Sequence, residues 1–154
     1  MRPMSSPAIP DDLTLAVLPM PAKTAAATAI TAGAFGVLHA LQIFLTVQAI
    51  RAPFNVLPPM MGVLALAGLV SGIAIGRARR WGPWPALAAM ILLFFTTSFW
   101  FLFALWNGLF TLFGMLVPLF AFLAIPFVIA GRKACVATSD ARRRLEEQGL
   151  ELGI

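Results

Sequence analysis

Not one acidic residue occurs between Leu13 and Ser139. The six carboxylates, Asp11, Asp12, Asp140, Glu146, Glu147 and Glu151, all lie near the two ends. Inside this acid-free stretch, the run from Pro85 to Gly131 carries no charge of either sign. A chain with so few groups for water to solvate has one stable solvent for its middle, the hydrocarbon of a bilayer. Composition agrees: 60% of the residues are hydrophobic and 11% charged, against roughly 45–50% and about 25% in ordinary globular domains. Disorder requires low hydrophobicity, and a soluble enzyme of this length could not bury this much apolar side chain. The sequence specifies an all-α, multi-pass integral membrane protein.

Four spans are expected. Residues 1–23 form a proline-rich tail with Pro3, Pro7, Pro10, Pro19 and Pro21. Its apolar run Leu13–Met20 follows two acids and is too short for a cleaved signal. Leu13, Leu15 and Val17 alternate with other residues, a pattern suited to a bilayer surface or a partner. The first span covers about 24–50, long enough at ~1.5 Å per residue to tilt or protrude from a ~30 Å hydrocarbon core. Pro53, Pro58 and Pro59 mark the connection to a second span at about 60–76. Arg77, Arg79 and Arg80 end that span, and Trp81 and Trp84 beside them mark the headgroup level. Asn107-Gly108 is a turn pair, which divides the remaining apolar run into spans at about 85–106 and 109–131. Residues 132–154 read as a second tail. Ser139 or Asp140 caps a short helix there that runs through Gln148 and stops at Gly149, with Arg142–Glu146 and Arg143–Glu147 pairs at four-residue spacing.

An even number of spans puts both ends of the chain on one side. That side holds Arg2, Lys23, Arg77, Arg79, Arg80, Arg132, Lys133, Arg142, Arg143 and Arg144, leaving only Arg51 of the eleven basic residues for the other. The bias sets both termini in the cytoplasm. The same placement accounts for the pI of about 11.2 without nucleic acid as a partner, since the charges flank apolar segments. All the basic residues are arginine except Lys23 and Lys133, which fits a GC-rich bacterial genome and hence a bacterial plasma (inner) membrane. The single cysteine, Cys135, excludes an internal disulfide and a multi-cysteine metal site. Its place at a membrane edge would suit lipidation, though a plain thiol is the simpler expectation.

Two sets of residues stand out. Gly68, Gly72 and Gly76 fall on one face of the second span, where glycine lets helix backbones approach closely. They serve either a partner or second copy, or packing within this bundle. His39 is the one histidine and the one titratable side chain well inside a span. His39, Gln42, Thr96 and Thr97 are expected to form a polar layer near mid-membrane. The Gly114 carbonyl joins them, because Pro118 has no N–H to offer it. The bland role of such a layer is an interhelical hydrogen bond. The alternatives are a substrate or proton site, or a cofactor ligand with the neutral imidazole on a metal. A magnesium-centred pigment needs one such ligand, whereas a haem held by two histidines needs a second chain. Phenylalanines such as Phe94, Phe95, Phe99, Phe101 and Phe103 offer flat surfaces, either for a planar lipid-soluble molecule or for ordinary packing.

No carboxylate pair, phosphate-cradling glycine loop or nucleophile with a base partner is present. The leading expectation is a non-catalytic accessory or assembly subunit of a larger membrane complex, with other membrane subunits or further copies of itself as partners and no cofactor. A pigment- or redox-cofactor protein using His39 is the first alternative. A small oligomeric carrier or channel with a proline-bent fourth helix is the second. In helix number and size the chain is similar to small multidrug carriers, but it lacks the intramembrane glutamate they couple through.

Overall fold

The computed structural model describes residues 11–50, 56–108 and 111–147. Among these all regular structure is helical. A short α1 (Asp11–Leu15) precedes four long helices: α2 (Met20–Ile50), α3 (Leu57–Gly76), α4 (Pro83–Trp106) and α5 (Leu112–Glu147). Each of the four is long and apolar enough to cross a membrane. α2 and α4 each pack against both α3 and α5 and touch one another only narrowly across the diagonal. The result is a square, antiparallel four-helix membrane bundle.

Small residues bring α2 to its neighbours. Ala22, Ala25, Ala26, Ala29, Ala32 and Ala40 are all buried on α2, at positions that fall along one helix face. At Gly33 a Cβ would stand 2.6 Å from the backbone nitrogen of Leu69 and 2.8 Å from the carbonyl of Ala65, both on α3. From the other side, a Cβ at Gly72 would stand 2.9 Å from the backbone nitrogen of Ile30. Glycine on both helices thus sets the α2–α3 crossing. On α5, Gly131 meets α2 in the same manner, 2.7 Å from the Ala25 methyl and 2.8 Å from the Pro21 carbonyl. Lipid tails are as apolar as side chains, so close dispersion contact of this kind is what favours association over solvation by lipid.

The helix ends refine the expected boundaries. α2 begins at Met20, inside the segment read as a tail, because Pro21 falls in the first turn where a missing N–H costs nothing. α3 and α4 likewise start at Leu57 and Pro83, with proline in their first turns. The Asn107-Gly108 turn forms where expected: Gly108 takes φ +69°, and Asn107 Nδ2 donates to the Phe103 carbonyl at 2.8 Å. α3 ends differently. Ala78, not a glycine, adopts φ +54°. Its N–H donates to the Ile75 carbonyl (2.9 Å), and the Arg79 N–H donates to that of Ala74 (2.8 Å). This is a Schellman cap with alanine at the left-handed position, a conformation that costs about 1–2 kcal/mol for an L-residue.

The largest departure is at α5. A break after Gly131 and a separate capped helix were expected. Instead α5 runs unbroken from Leu112 to Glu147, through Pro118 and Pro126. No breaker occurs between Gly131 and Ser139, and Cys135, Thr138, Ala141 and Leu145 continue its buried stripe. The N–H groups of Ser139 and Asp140 are therefore helical, and neither residue acts as a cap. Gln148 and Gly149 lie outside the described residues. Of the two anticipated ion pairs, Arg143–Glu147 forms at 2.9 Å. Arg142 instead donates from Nε to the Ala16 carbonyl at 2.9 Å, tying the segment after α1 to α5. The Cys135 thiol points into the bundle, 3.7 Å from the Arg79 carbonyl and fully buried, a position closed to lipidation. Leu13, Leu15 and Val17 remain outward, while Ala16 and Leu18 are buried.

The crossing geometry gives a contrast between two glycines. Gly33→Val drives a side chain into the α3 backbone, and a loss of about 1–3 kcal/mol is expected, as for an overpacked core. Gly62→Ala places its methyl 3.7 Å from that of Ala40, an ordinary contact, and gains up to about 1 kcal/mol of helix propensity. Reversible unfolding in mixed micelles measures both; equal effects would refute the crossing.

Candidate functional site

His39 lies on the buried face of α2 with no solvent-accessible surface. Its ring packs against the first turn of α5: a Cβ at Gly114 would stand 3.6 Å from His39 Cε1 and 3.6 Å from Phe101 Cδ2 of α4. Thr111 caps that turn, its hydroxyl accepting the Gly114 N–H at 3.2 Å. Three helices and a helix cap therefore converge on one imidazole. The Gly114 carbonyl lacks the usual helical donor because Pro118 has no N–H.

The depth differs from the sequence-based expectation. Gly114 is two residues past the start of α5, about 3 Å along that helix, so the site lies toward the end of the bundle opposite the arginines. The middle of α2 is not the middle of the bundle, because α2 is longer than the apolar part of its partners. Beyond His39, Ile43 and Val47 go on packing among Met61, Trp100 and Ala104.

The expected polar layer divides into two groups. Gln42 follows His39 by three residues on the same side of α2. Yet Gln42 Oε1 and both His39 nitrogens are buried without a hydrogen-bond partner. Thr97 is equally buried, but its hydroxyl donates to the Leu93 carbonyl of its own helix at 2.6 Å. Thr96 bonds back to Leu92 at 2.8 Å. Each threonine hydroxyl is thus satisfied within α4, the common behaviour of such residues inside helices, and neither bonds to His39. What the fold brings together is His39, Gln42, Gly114, Thr111 and Phe101. Gly114 was expected beside His39 through its free carbonyl, whereas Thr111 was not foreseen there, because only the start of α5 turns its hydroxyl toward that glycine.

A neutral imidazole carries one donor and one acceptor, and Gln42 Oε1 adds another acceptor. Leaving such groups unpaired costs about 1–3 kcal/mol each, so the cluster has unused capacity for a small polar molecule or a proton. A planar pigment or haem is a poor match. The ring is enclosed between α2, α4 and α5, and a macrocycle on either nitrogen would have to part those helices.

The glycine face of α3 is occupied inside the bundle. Gly72 and Gly76 look toward Ile30 and Ala26 of α2, and Gly68 toward the Met90 methyl of α4. The phenylalanines are divided as well. Phe35 stacks on Phe120 at 5.2 Å and 6°, and Phe94 packs against Phe122 at 5.5 Å. Phe95 and Phe99 face outward. At the arginine-rich end the Arg132 guanidinium lies 4.2 Å over the Trp84 ring, an interfacial cation–π pair.

The geometry places the chain in a broad class, the multi-pass four-helix membrane bundles. No protein-family model matches it, and no significant match was found to a curated protein or a solved structure.

Replacing His39 by leucine removes two unpaired polar atoms and keeps most of the volume. We expect the variant to fold with unchanged or higher thermal stability, by up to about 1–3 kcal/mol. A clear loss of stability would instead show that the imidazole is paired in the membrane.

Proposed function

We propose that the protein is a non-catalytic accessory or assembly subunit of a larger membrane complex. It would reside in a bacterial plasma membrane with both termini in the cytoplasm. The observation that carries this reading is the continuity of α5. Past Gly131 the helix proceeds without interruption to Glu147, its inner face buried at Cys135, Thr138, Ala141 and Leu145 and its outer face presenting exposed Lys133, Arg143, Arg144, Glu146 and Glu147. Its last turns are held by the contact from Arg142 to Ala16. A rigid charged projection on a membrane anchor suits docking to another subunit, since little ordering entropy is lost on binding. The glycine face, being engaged internally, is not the partner surface in this reading. Contacts fall on the projecting helix and on outward-facing α4 residues such as Phe95, Phe99 and Leu102.

Native mass spectrometry after gentle extraction from the source membrane tests the proposal. The expected result is co-purification with other membrane chains in fixed ratio, weakened by Arg143→Glu/Arg144→Glu while the bundle stays folded. A lone, ligand-free monomer would overturn it.

A small carrier is the second reading, favoured by the unpaired buried nitrogens of His39 and by Gln42 Oε1. It requires solute flux in proteoliposomes that falls at least tenfold in His39→Ala. Visible absorbance from the same preparation, lost in that variant, would favour a pigment or redox cofactor instead.

A further inference from the structure

We propose that a cleft at the arginine-rich end binds a phosphate-bearing anion, with Arg77 and Arg79 as its principal ligands. The cleft has a volume of about 680 Å³ and lies between the α3–α4 turn and the last turns of α5. Arg77, Arg79, Ser139, Arg142, Arg143 and Glu146 contribute to its walls.

The α3 cap builds one wall. Ala78 is buried in the left-handed conformation, and its exposed neighbours Arg77 and Arg79 flank it. The turn is fixed from several sides. Arg142 Nη1 reaches the Arg77 carbonyl at 3.5 Å, the Cys135 thiol lies under the Arg79 carbonyl, and Gly82 sits directly on the backbone of Ala74 and Ile75. Two guanidinium groups are thus carried on a backbone with little freedom.

Charge accounting at this end singles out the same two residues. Arg80 faces Asp140 at 4.0 Å, and Arg143 is paired with Glu147. Arg142 donates to two backbone carbonyls. Among the described residues, neither Arg77 nor Arg79 has a carboxylate within salt-bridge distance. Against the four arginines of the cleft stands one carboxylate, Glu146, so the walls carry a positive excess. Guanidinium groups grip phosphate oxygens through paired N–H donors, and the Ser139 hydroxyl offers a further donor.

The depth suits a phosphate as well. The apolar zone of α5 ends at Gly131, next to the Arg132–Trp84 pair. The Arg79 carbonyl of the α3 wall is level with Cys135, four residues further on and about 6 Å along the helix, while the α5 wall begins at Ser139, about 12 Å along. Headgroups occupy roughly 5–7 Å on each side of the hydrocarbon, so the phosphate of an anionic lipid reaches the Arg77–Arg79 wall of the cleft. A soluble phosphate ester can enter it from the aqueous side. Basic clefts at this depth between membrane helices are known to take anionic headgroups.

Thermal unfolding of the full chain in lipid nanodiscs tests the assignment. Discs of phosphatidylcholine are compared with discs that also contain phosphatidylglycerol, and with phosphatidylcholine discs to which glycerol 3-phosphate is added. A rise of several degrees with phosphatidylglycerol is expected. It should vanish in Arg77→Gln/Arg79→Gln and persist in Arg132→Gln/Lys133→Gln, which removes the same charge outside the cleft. The same arginine-dependent rise with glycerol 3-phosphate alone would assign the cleft to a soluble ester. Equal losses in both double variants would show that only total charge matters, and no rise with either ligand would show that the cleft binds no phosphate; each result overturns the proposal. If the glutamine pair does not fold, Arg77→Lys/Arg79→Lys carries the test. It keeps the charge but not the paired donors, so at least half of the rise should disappear, and an undiminished rise would overturn the arginine assignment.

Discussion

The close approach of α2 to α3 and α5 is the contact on which the bundle depends. In water, helices associate because apolar surface leaves the solvent. In a bilayer that driving force is absent, and helices must gain more from one another than from lipid. The alanine face of α2, with Gly33 and Gly72 at one crossing and Gly131 at the other, provides that gain by letting backbones meet without intervening side chains. Large side chains are placed accordingly. Met90, Leu93, Val117 and Val128 fill the centre, and much of the remaining bulk faces lipid.

Polar groups obey the same solvent. Thr28, Thr46, Thr96 and Thr97 each return their hydroxyl to a carbonyl one turn back, which leaves them free of any partner helix. His39 has no such local solution: neither of its ring nitrogens bonds to a carbonyl of its own helix. Its nitrogens therefore depend on what other helices offer, and the groups there are Gly114, Phe101 and a Thr111 hydroxyl that accepts the Gly114 N–H instead. Histidine is the residue whose protonation changes most readily near neutral pH, and this one is enclosed by three helices. That combination keeps a carrier or ligand role in view beside the accessory-subunit reading.

Much of the architecture was legible in the residues. The acid-free stretch, the arginine cluster with Trp81 and Trp84, and the Asn107-Gly108 turn located the starts of the four long helices to within a few residues, because each marks where the chain meets or leaves hydrocarbon. Less legible were features that depend on a neighbour. Gly33 on α2 had no repeat to draw attention to it, yet it makes the tightest backbone approach. The continuation of α5 past Gly131 follows from Cys135, Thr138, Ala141 and Leu145 finding a surface to cover, which a change to polar composition conceals. The cap at Ala78 went unforeseen because alanine carries no turn signal, and its cost is met by packing against the bundle.

The sequence by itself determined the solvent, the number of spans and the clustering of charge at one end. These follow from transfer free energies of single side chains, which do not depend on what packs against them. Tertiary structure alone decided which glycines are crossings, how far α5 extends and where His39 lies in depth. It also brought Arg77 and Arg79 together with Ser139 and Arg143 around one cleft. Those outcomes rest on distances between separate helices, set by how closely small residues allow backbones to approach.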